Sequence, residues 1–296
     1  MNIGEQGYLN LLRELVDKAE TVGFRDVRDG HKRCSLFGRQ LRFDLQDGFP
    51  LFTHKKVFLR GTFEELMWFL RGQTDNQILK DKNVHIWDLW ESIVDENNPT
   101  ELGAIYGTSW RNFGEVRSWW YDDSDVPVGM VVNQEGFDQI EWLINEIQKN
   151  PTSSSLVVSA WNPHVHCDRS EKKAVLPPCH CLFECFVEDG KLSLQLYQRS
   201  GDYIVGNPIN IASYALLTHL LAQQCGLDVG EFIWTVGDVH LYSDQLEMAK
   251  EVLSRKIHKP PTIEIQKAKD LYSYEWSDIN VIDYMHELAI KIPVAK

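Results

Sequence analysis

Residues 206–225, GNPINIASYALLTHLLAQQC, constrain the fold more than any other segment. From Ile209 onward the run is apolar on almost every face, and a helix of that kind is stable only when other elements surround it. It belongs in the middle of a structure, and 296 residues with 43% apolar side chains can enclose it. Before it, CHCLFECFVE (179–188) and KLSLQLYQRS (191–200) read as strands joined by Asp189-Gly190, the turn chemistry of a two-residue hairpin. Helical spacing of apolar residues predicts helices from Tyr8 to Ala19, Thr62 to Arg71 and Phe137 to Lys149. SLFGRQLRFDL reads as a further strand after a polar, basic loop at 24–34. Residues 91–135, rich in Asp, Asn, Pro and Gly, read as long surface loops. Strands and helices mix without a βαβ beat, and no Gly-rich dinucleotide or P-loop motif follows a strand. These features predict one α+β domain over residues 1–296.

Charge and cysteine usage narrow the function. The formal charge is −13, which argues against a general nucleic-acid binder but leaves room for local basic clusters that hold a small anion. No apolar run approaches the ~20 residues of a membrane span, and the start MNIGEQGYLN lacks a signal-peptide core. Six irregularly spaced cysteines in a long acidic chain do not resemble a disulfide scaffold, so a reducing cytoplasm is expected.

The sharpest chemical feature is Leu176-Pro177-Pro178-Cys179-His180. In a hairpin turning at Asp189-Gly190, position 179 falls opposite position 200, which makes Arg199 a neighbour of Cys179. A guanidinium beside a thiol lowers its pKa below about 8.5 and favours the nucleophilic thiolate. A lone cysteine is more often a packed core thiol, and both readings stand on these residues alone. A metal site is the poorer reading: Cys179, Cys181 and Cys185 alternate along a strand instead of forming spaced zinc-ligand pairs. No metal is expected.

LPPCH, YQRSGD, GNPINIASYALLTHLLAQQC and GDVHLYSDQ together resemble the thymidylate synthase family in order and spacing. The resemblance continues through FGRQLRFDLQDGFPL, EELMWFLRGQT, IWDLW, LGAIYGTSWR and VVSAWNP to the terminal IPVAK. It implies a homodimeric, cytoplasmic enzyme that transfers a one-carbon unit from 5,10-methylenetetrahydrofolate to carbon 5 of a pyrimidine deoxynucleotide. The substrate it implies is dUMP, giving dTMP and dihydrofolate. Cys179 is then the nucleophile. Arg199 and Ser200, with Arg28, hold the 5′-phosphate; Asn210 matches N3–H and O4 of uracil; His240 and Tyr242 reach the sugar 3′-hydroxyl. Glu65 and Tyr106 manage proton transfers at carbons 4 and 5. Asp202 contacts the folate, whose pocket is walled by Ile86, Trp87, Trp90, Val205, Gly206, Ile209 and Ala295. Each taken alone also has a bland reading: Glu65 as a solvated helix face, Trp87 and Trp90 as core, His240 and Tyr242 as one polar strand face.

The sequence departs from the family pattern in three places. Ser154 and Ser155 stand where the family carries an arginine pair that crosses to the partner subunit's phosphate site. Arg25, His31, Lys32 or Arg33 is expected to compensate, unless the phosphate end of the substrate differs. The loop after Arg28 has become DGHKRC, and the usual apolar last residue is Lys296. The alternatives are a hydroxymethylase of the same fold, making 5-hydroxymethyl-dUMP, and an inactive family-like protein that binds nucleotide.

Overall fold

The computed structural model describes residues 3–27, 30–91, 98–114, 116–121, 127–167 and 173–294. In chain order the elements are α1 (Ile3–Thr21), β1 (Arg25–Asp26), β2 (Lys32–Asp44), α2 (Leu59–Leu70), α3 (Gln77–Asp81), α4 (Tyr106–Arg111), β3 (Val116–Tyr121) and β4 (Pro127–Gln134). They continue with α5 (Gln139–Lys149), β5 (Val157–Ser159), α6 (Pro163–His166), β6 (His180–Glu188), β7 (Lys191–Asp202), α7 (Gly206–Cys225), β8 (Asp228–Tyr242), α8 (Leu246–Ser254), β9 (Thr262–Ile265) and β10 (Ile279–Ile282). The class is mixed α+β. The main sheet has six strands in the order β1-β2-β8-β7-β6-β5, antiparallel except for the β7–β8 pair. Among the described residues no helix is long and apolar enough to cross a membrane.

α7 is the buried helix that its sequence demands. Leu216, Leu217, Leu220 and Leu221 have no exposure, and the helix packs on β7, β8 and α2. It ends at Gly226, which takes the left-handed conformation (φ 72°) that releases the chain into β8. One face of the sheet therefore carries Leu192, Leu194, Leu196, Phe232 and Trp234 into the core. The other face lies open and presents Phe37, Leu182, Phe186 and Tyr197.

The β6–β7 hairpin turns at Asp189 and Gly190, both at positive φ (48° and 73°), as a twisted two-residue turn requires. Its register corrects one expectation. Pairing runs from Glu188↔Lys191 to Leu182↔Tyr197 and then slips to His180↔Gln198, leaving Cys181 as an extra residue. The bulge brings Cys179 opposite Arg199, whose N–H donates to Cys179 O at 2.8 Å, and not opposite Ser200. A neighbouring irregularity lies in β8, where buried positions run Phe232, Trp234, Val236 and then Val239, Leu241. Gly237 sits at that change of parity, and a Cβ there would lie 2.9 Å from Arg199 O. Only glycine lets β8 approach the site strand so closely.

Two further expectations change. Residues 91–135 are not loop throughout: α4 begins at Tyr106, and β3 pairs antiparallel with β4. Apolar and aromatic pieces inside a Pro- and Gly-rich stretch still form paired elements when a partner strand is at hand. The basic loop is shorter than expected, because Lys32 and Arg33 already belong to β2 and pair with β1.

Candidate active site

Cys179 lies at the mouth of β6, and its backbone is held from two sides. Its N–H donates to Tyr106 Oη at 2.8 Å, while its carbonyl accepts from Arg199 N–H. Tyr106, the first residue of α4, is itself buried against Phe69. The Arg199 guanidinium is clamped by the proline turn: Nε donates to Pro178 O at 3.0 Å and Nη2 to Pro177 O at 2.8 Å. Nη2 then stands 3.7 Å from Cys179 Sγ. The expected depression of the thiol pKa is not the net outcome. Burial pushes the Cys179 thiol up from its ordinary value, and the Arg199 charge only opposes that shift.

Asn210, on the first turns of α7, is oriented by a hydrogen-bond chain whose sense follows from chemistry. The Trp234 indole can only donate, and its Nε1–H binds Gln198 Oε1 at 2.9 Å. Gln198 Nε2 must then point the other way, and it donates to Asn210 Oδ1 at 3.1 Å. Asn210 is left with its NH₂ for a ligand, while its oxygen is shared with Gln198 and His180. His180 borders the same carboxamide, and burial holds its pKa down at about 4 despite the bond to Asn210, so the ring is neutral.

Glu65 projects from α2 and is only 6% exposed, so it is not a solvated helix face. Burial raises its pKa to about 7, against a hydrogen bond of 2.7 Å donated by Trp87 Nε1. The Trp87–Trp90 segment is anchored by Asn76, whose Nδ2 donates to Asp88 Oδ1 at 3.0 Å and Glu91 Oε1 at 2.8 Å. Asp202, at the end of β7, accepts from Val205 N–H at 3.3 Å and from Gln245 Nε2 at 2.8 Å. Burial raises its pKa as well.

One cavity brings together Glu65, Ile86, Trp87, Trp90, Tyr106, Cys179, Ser200, Asp202, Gly206 and Asn210. Arg199 joins it through Cys179. Val205 and Ile209 do not line it but pack against the core beside it. His240 and Tyr242 lie just outside: His240 pairs with Asp202 across the β7–β8 ladder, and the two rings meet edge-on at 5.2 Å. Arg28 and Ala295, with Lys296, fall outside the described residues. Phe69, Leu176, Pro177, Pro178, His180, Gln198 and Gly201 also line the cavity; all lie within EELMWFLRGQT, LPPCH and YQRSGD, motifs that gave them no role of their own. His180 and Gln198 adjoin Cys179 and Arg199 in the chain, a signal that could have found them. Gln245 closes the GDVHLYSDQ motif, which gave it no role of its own.

The four candidates for compensating charge have other contacts. Arg33 and Arg25 converge on Asp238, at 2.7 and 3.7 Å, and Lys32 faces Asp26 at 3.6 Å. The His31 ring lies 5.8 Å from that of Tyr242. Although burial pushes Asp238 up, His240 and Arg33 hold its pKa at about 2. Ser154 and Ser155 are exposed at the approach to β5. Among the described residues no group of three or more His, Cys, Asp or Glu could hold a metal ion. Compared with known families, residues 6–296 match the family model described as thymidylate synthase.

Proposed function

The chain belongs to the thymidylate synthase family, and we propose that it methylates dUMP reductively to dTMP with 5,10-methylenetetrahydrofolate as co-substrate. The observation that carries this reading is the Cys179–Arg199 pair at a cavity shared with Glu65, Trp87, Tyr106 and Asn210. Carbon 5 of uracil is a poor nucleophile until something adds at carbon 6. Cys179 adds there as thiolate, and the S–C6 bond leaves an enolate whose carbon 5 attacks the one-carbon unit. After the carbon 5 proton is lost and the one-carbon unit is reduced, the S–C6 bond breaks and Cys179 leaves as thiolate. Burial keeps the resting thiol protonated, and Arg199 Nη2 is the cation beside which the thiolate forms.

The remaining side chains bind and move protons. Asn210 donates to O4 through its NH₂ and turns its oxygen towards N3–H. Arg199, Ser200 and Arg28 hold the 5′-phosphate, and His240 and Tyr242 hold the 3′-hydroxyl. Glu65, with a pKa of about 7, and Tyr106 pass protons at carbons 4 and 5 through water. The folate supplies the one-carbon unit and the hydride that makes it a methyl group. A buried carboxylate beside indole faces suits a flat ring bearing N–H donors, which is the fit of Asp202, Trp87 and Trp90 to a pterin. Ile86, Gly206 and Ala295 complete that pocket, and Val205 and Ile209 back it from the core.

The whole chain works as one catalytic domain, as a homodimer in the cytoplasm. The open sheet face supports the dimer, because Phe37 and Phe186 are 81% and 58% exposed on it.

Tritium release from carbon 5 of labelled dUMP, followed by product chromatography, tests the reading. Wild type is expected to release tritium and yield dTMP with dihydrofolate. Cys179→Ala is expected to abolish release while nucleotide still binds. Mostly 5-hydroxymethyl-dUMP without dihydrofolate would replace methylation by the hydroxymethylase reading. Nucleotide binding without any release by wild type would leave only a binding protein.

A further inference from the structure

One side chain, Gln245, joins Asp202 to the C-terminal tail. It closes the 3₁₀ turn Ser243–Gln245 after β8 and has no solvent exposure. Its Nε2 donates to Asp202 Oδ2 at 2.8 Å and to Pro293 O at 3.0 Å, while its Oε1 accepts from Tyr242 N–H at 3.1 Å. A carboxamide nitrogen carries two protons, so both donated bonds form at once. Neither a carboxylate nor a neutral imidazole could supply that set.

Among the described residues the tail is fastened elsewhere only further upstream. Glu287 N–H donates to Thr53 O at 2.8 Å, and Arg255 donates to the Leu288 carbonyl. Ile290 and Ile292 pack partly on the core, but Pro293 and Val294 are exposed. Among the described residues, the Gln245 bond is the last hydrogen bond along the tail. Apolar contact does little for a segment that remains exposed, so among the described residues the seating of Pro293 rests on this one amide.

We propose that Gln245 is a positioning residue that couples seating of the C-terminal tail to the orientation of the Asp202 carboxylate. The consequence for folate rests on the assignment of Asp202 to the folate pocket, whereas the coupling itself does not. With the tail seated, Pro293 O takes one amide proton and fixes the plane in which the other meets Asp202 Oδ2. Val205 N–H holds Oδ1, so both carboxylate oxygens are restrained. When the tail leaves, only the Tyr242 N–H bond to Oε1 still defines the amide plane, and the donor that meets Asp202 is held less firmly.

Gln245→Glu separates the roles, because it keeps an acceptor for Tyr242 N–H and removes both donors. Without substrate, tryptic cleavage after Lys291, followed by mass, is expected to run at least about fivefold faster than in wild type, the factor for one net hydrogen bond. Gln245→Met, which removes the donors without adding charge, is expected to give the same acceleration if the buried carboxyl is not tolerated. In turnover the KM for methylenetetrahydrofolate is expected to rise by a similar factor while the Kd for dUMP stays unchanged. Unaltered cleavage in both variants would overturn the coupling, whereas faster cleavage with an unmoved folate KM in an active enzyme would overturn its consequence for folate. If wild type itself lacks turnover while both variants are cleaved faster, the proposed reaction fails and the tail latch stands.

Discussion

The Trp87 indole donates to Glu65 Oε1 at 2.7 Å in a site where the carboxyl is 6% exposed. Burial and this bond act in opposite directions on one proton. Burial wins and sets the pKa at about 7, with the indole favouring the charged form. Glu65 is therefore poised to gain or lose a proton near neutrality.

Removing the donor shifts that balance. Trp87→Phe is expected to move the Glu65 titration upward by about one unit, since a bond to a charged group contributes about 1.5–3 kcal/mol and one unit is about 1.4. The pH profile of tritium release reads it. An unmoved limb would mean that another group titrates.

The same burial makes stability depend on pH. The folded chain holds the Glu65 proton more tightly than the unfolded one, so this contribution is full below the ordinary value of 4.5 and is lost as pH rises through about 7. In Glu65→Gln that part of the decline is expected to vanish. Urea midpoints at pH 5 and pH 8 measure it: the variant gains on wild type at the higher pH.

Asn210→Asp is expected to weaken uridylate use and improve cytidylate binding. The Gln198 amide proton continues to reach the oxygen at position 210, while a carboxyl group accepts from the cytosine amino group. Titrating dUMP and dCMP against both proteins checks it. A wild type that already prefers dCMP would sink the uracil assignment.

Ser154→Arg with Ser155→Arg is expected to lower the KM for dUMP. Both sites are exposed, so the substitutions disturb no core. Two added charge-assisted bonds contribute about 1.5–3 kcal/mol each before ordering costs. An unchanged or raised KM would mean that other basic residues already serve the phosphate, or that the substrate carries none there.

Phe186→Asp is expected to shift the protein from dimer to monomer in sedimentation equilibrium without unfolding it, because the side chain points away from the core. A wild type that sediments as a monomer would end the dimer reading.

Much of the scaffold was legible from local pattern. The Asp189-Gly190 turn and the all-round apolarity of α7 each specify one geometry whatever surrounds them. α2 and α5 came out within three residues of their expected bounds at each end, because apolar spacing reports which face must leave water. The family match likewise follows from the order of motifs along the chain.

Tertiary structure decided the rest. Pairing arithmetic placed Cys179 opposite Ser200, and a one-residue bulge at Cys181, set by how β6 meets β7, moved it to Arg199. The thiol's pKa rose where its neighbour alone would have lowered it, since desolvation depends on every element that closes over the sulfur. Gln245 meets Asp202 and Pro293 from 43 and 48 positions away in the chain. Periodicity encodes which residues are buried; which buried groups share a proton or a hydrogen bond depends on distances that exist only once the sheet and helices have packed.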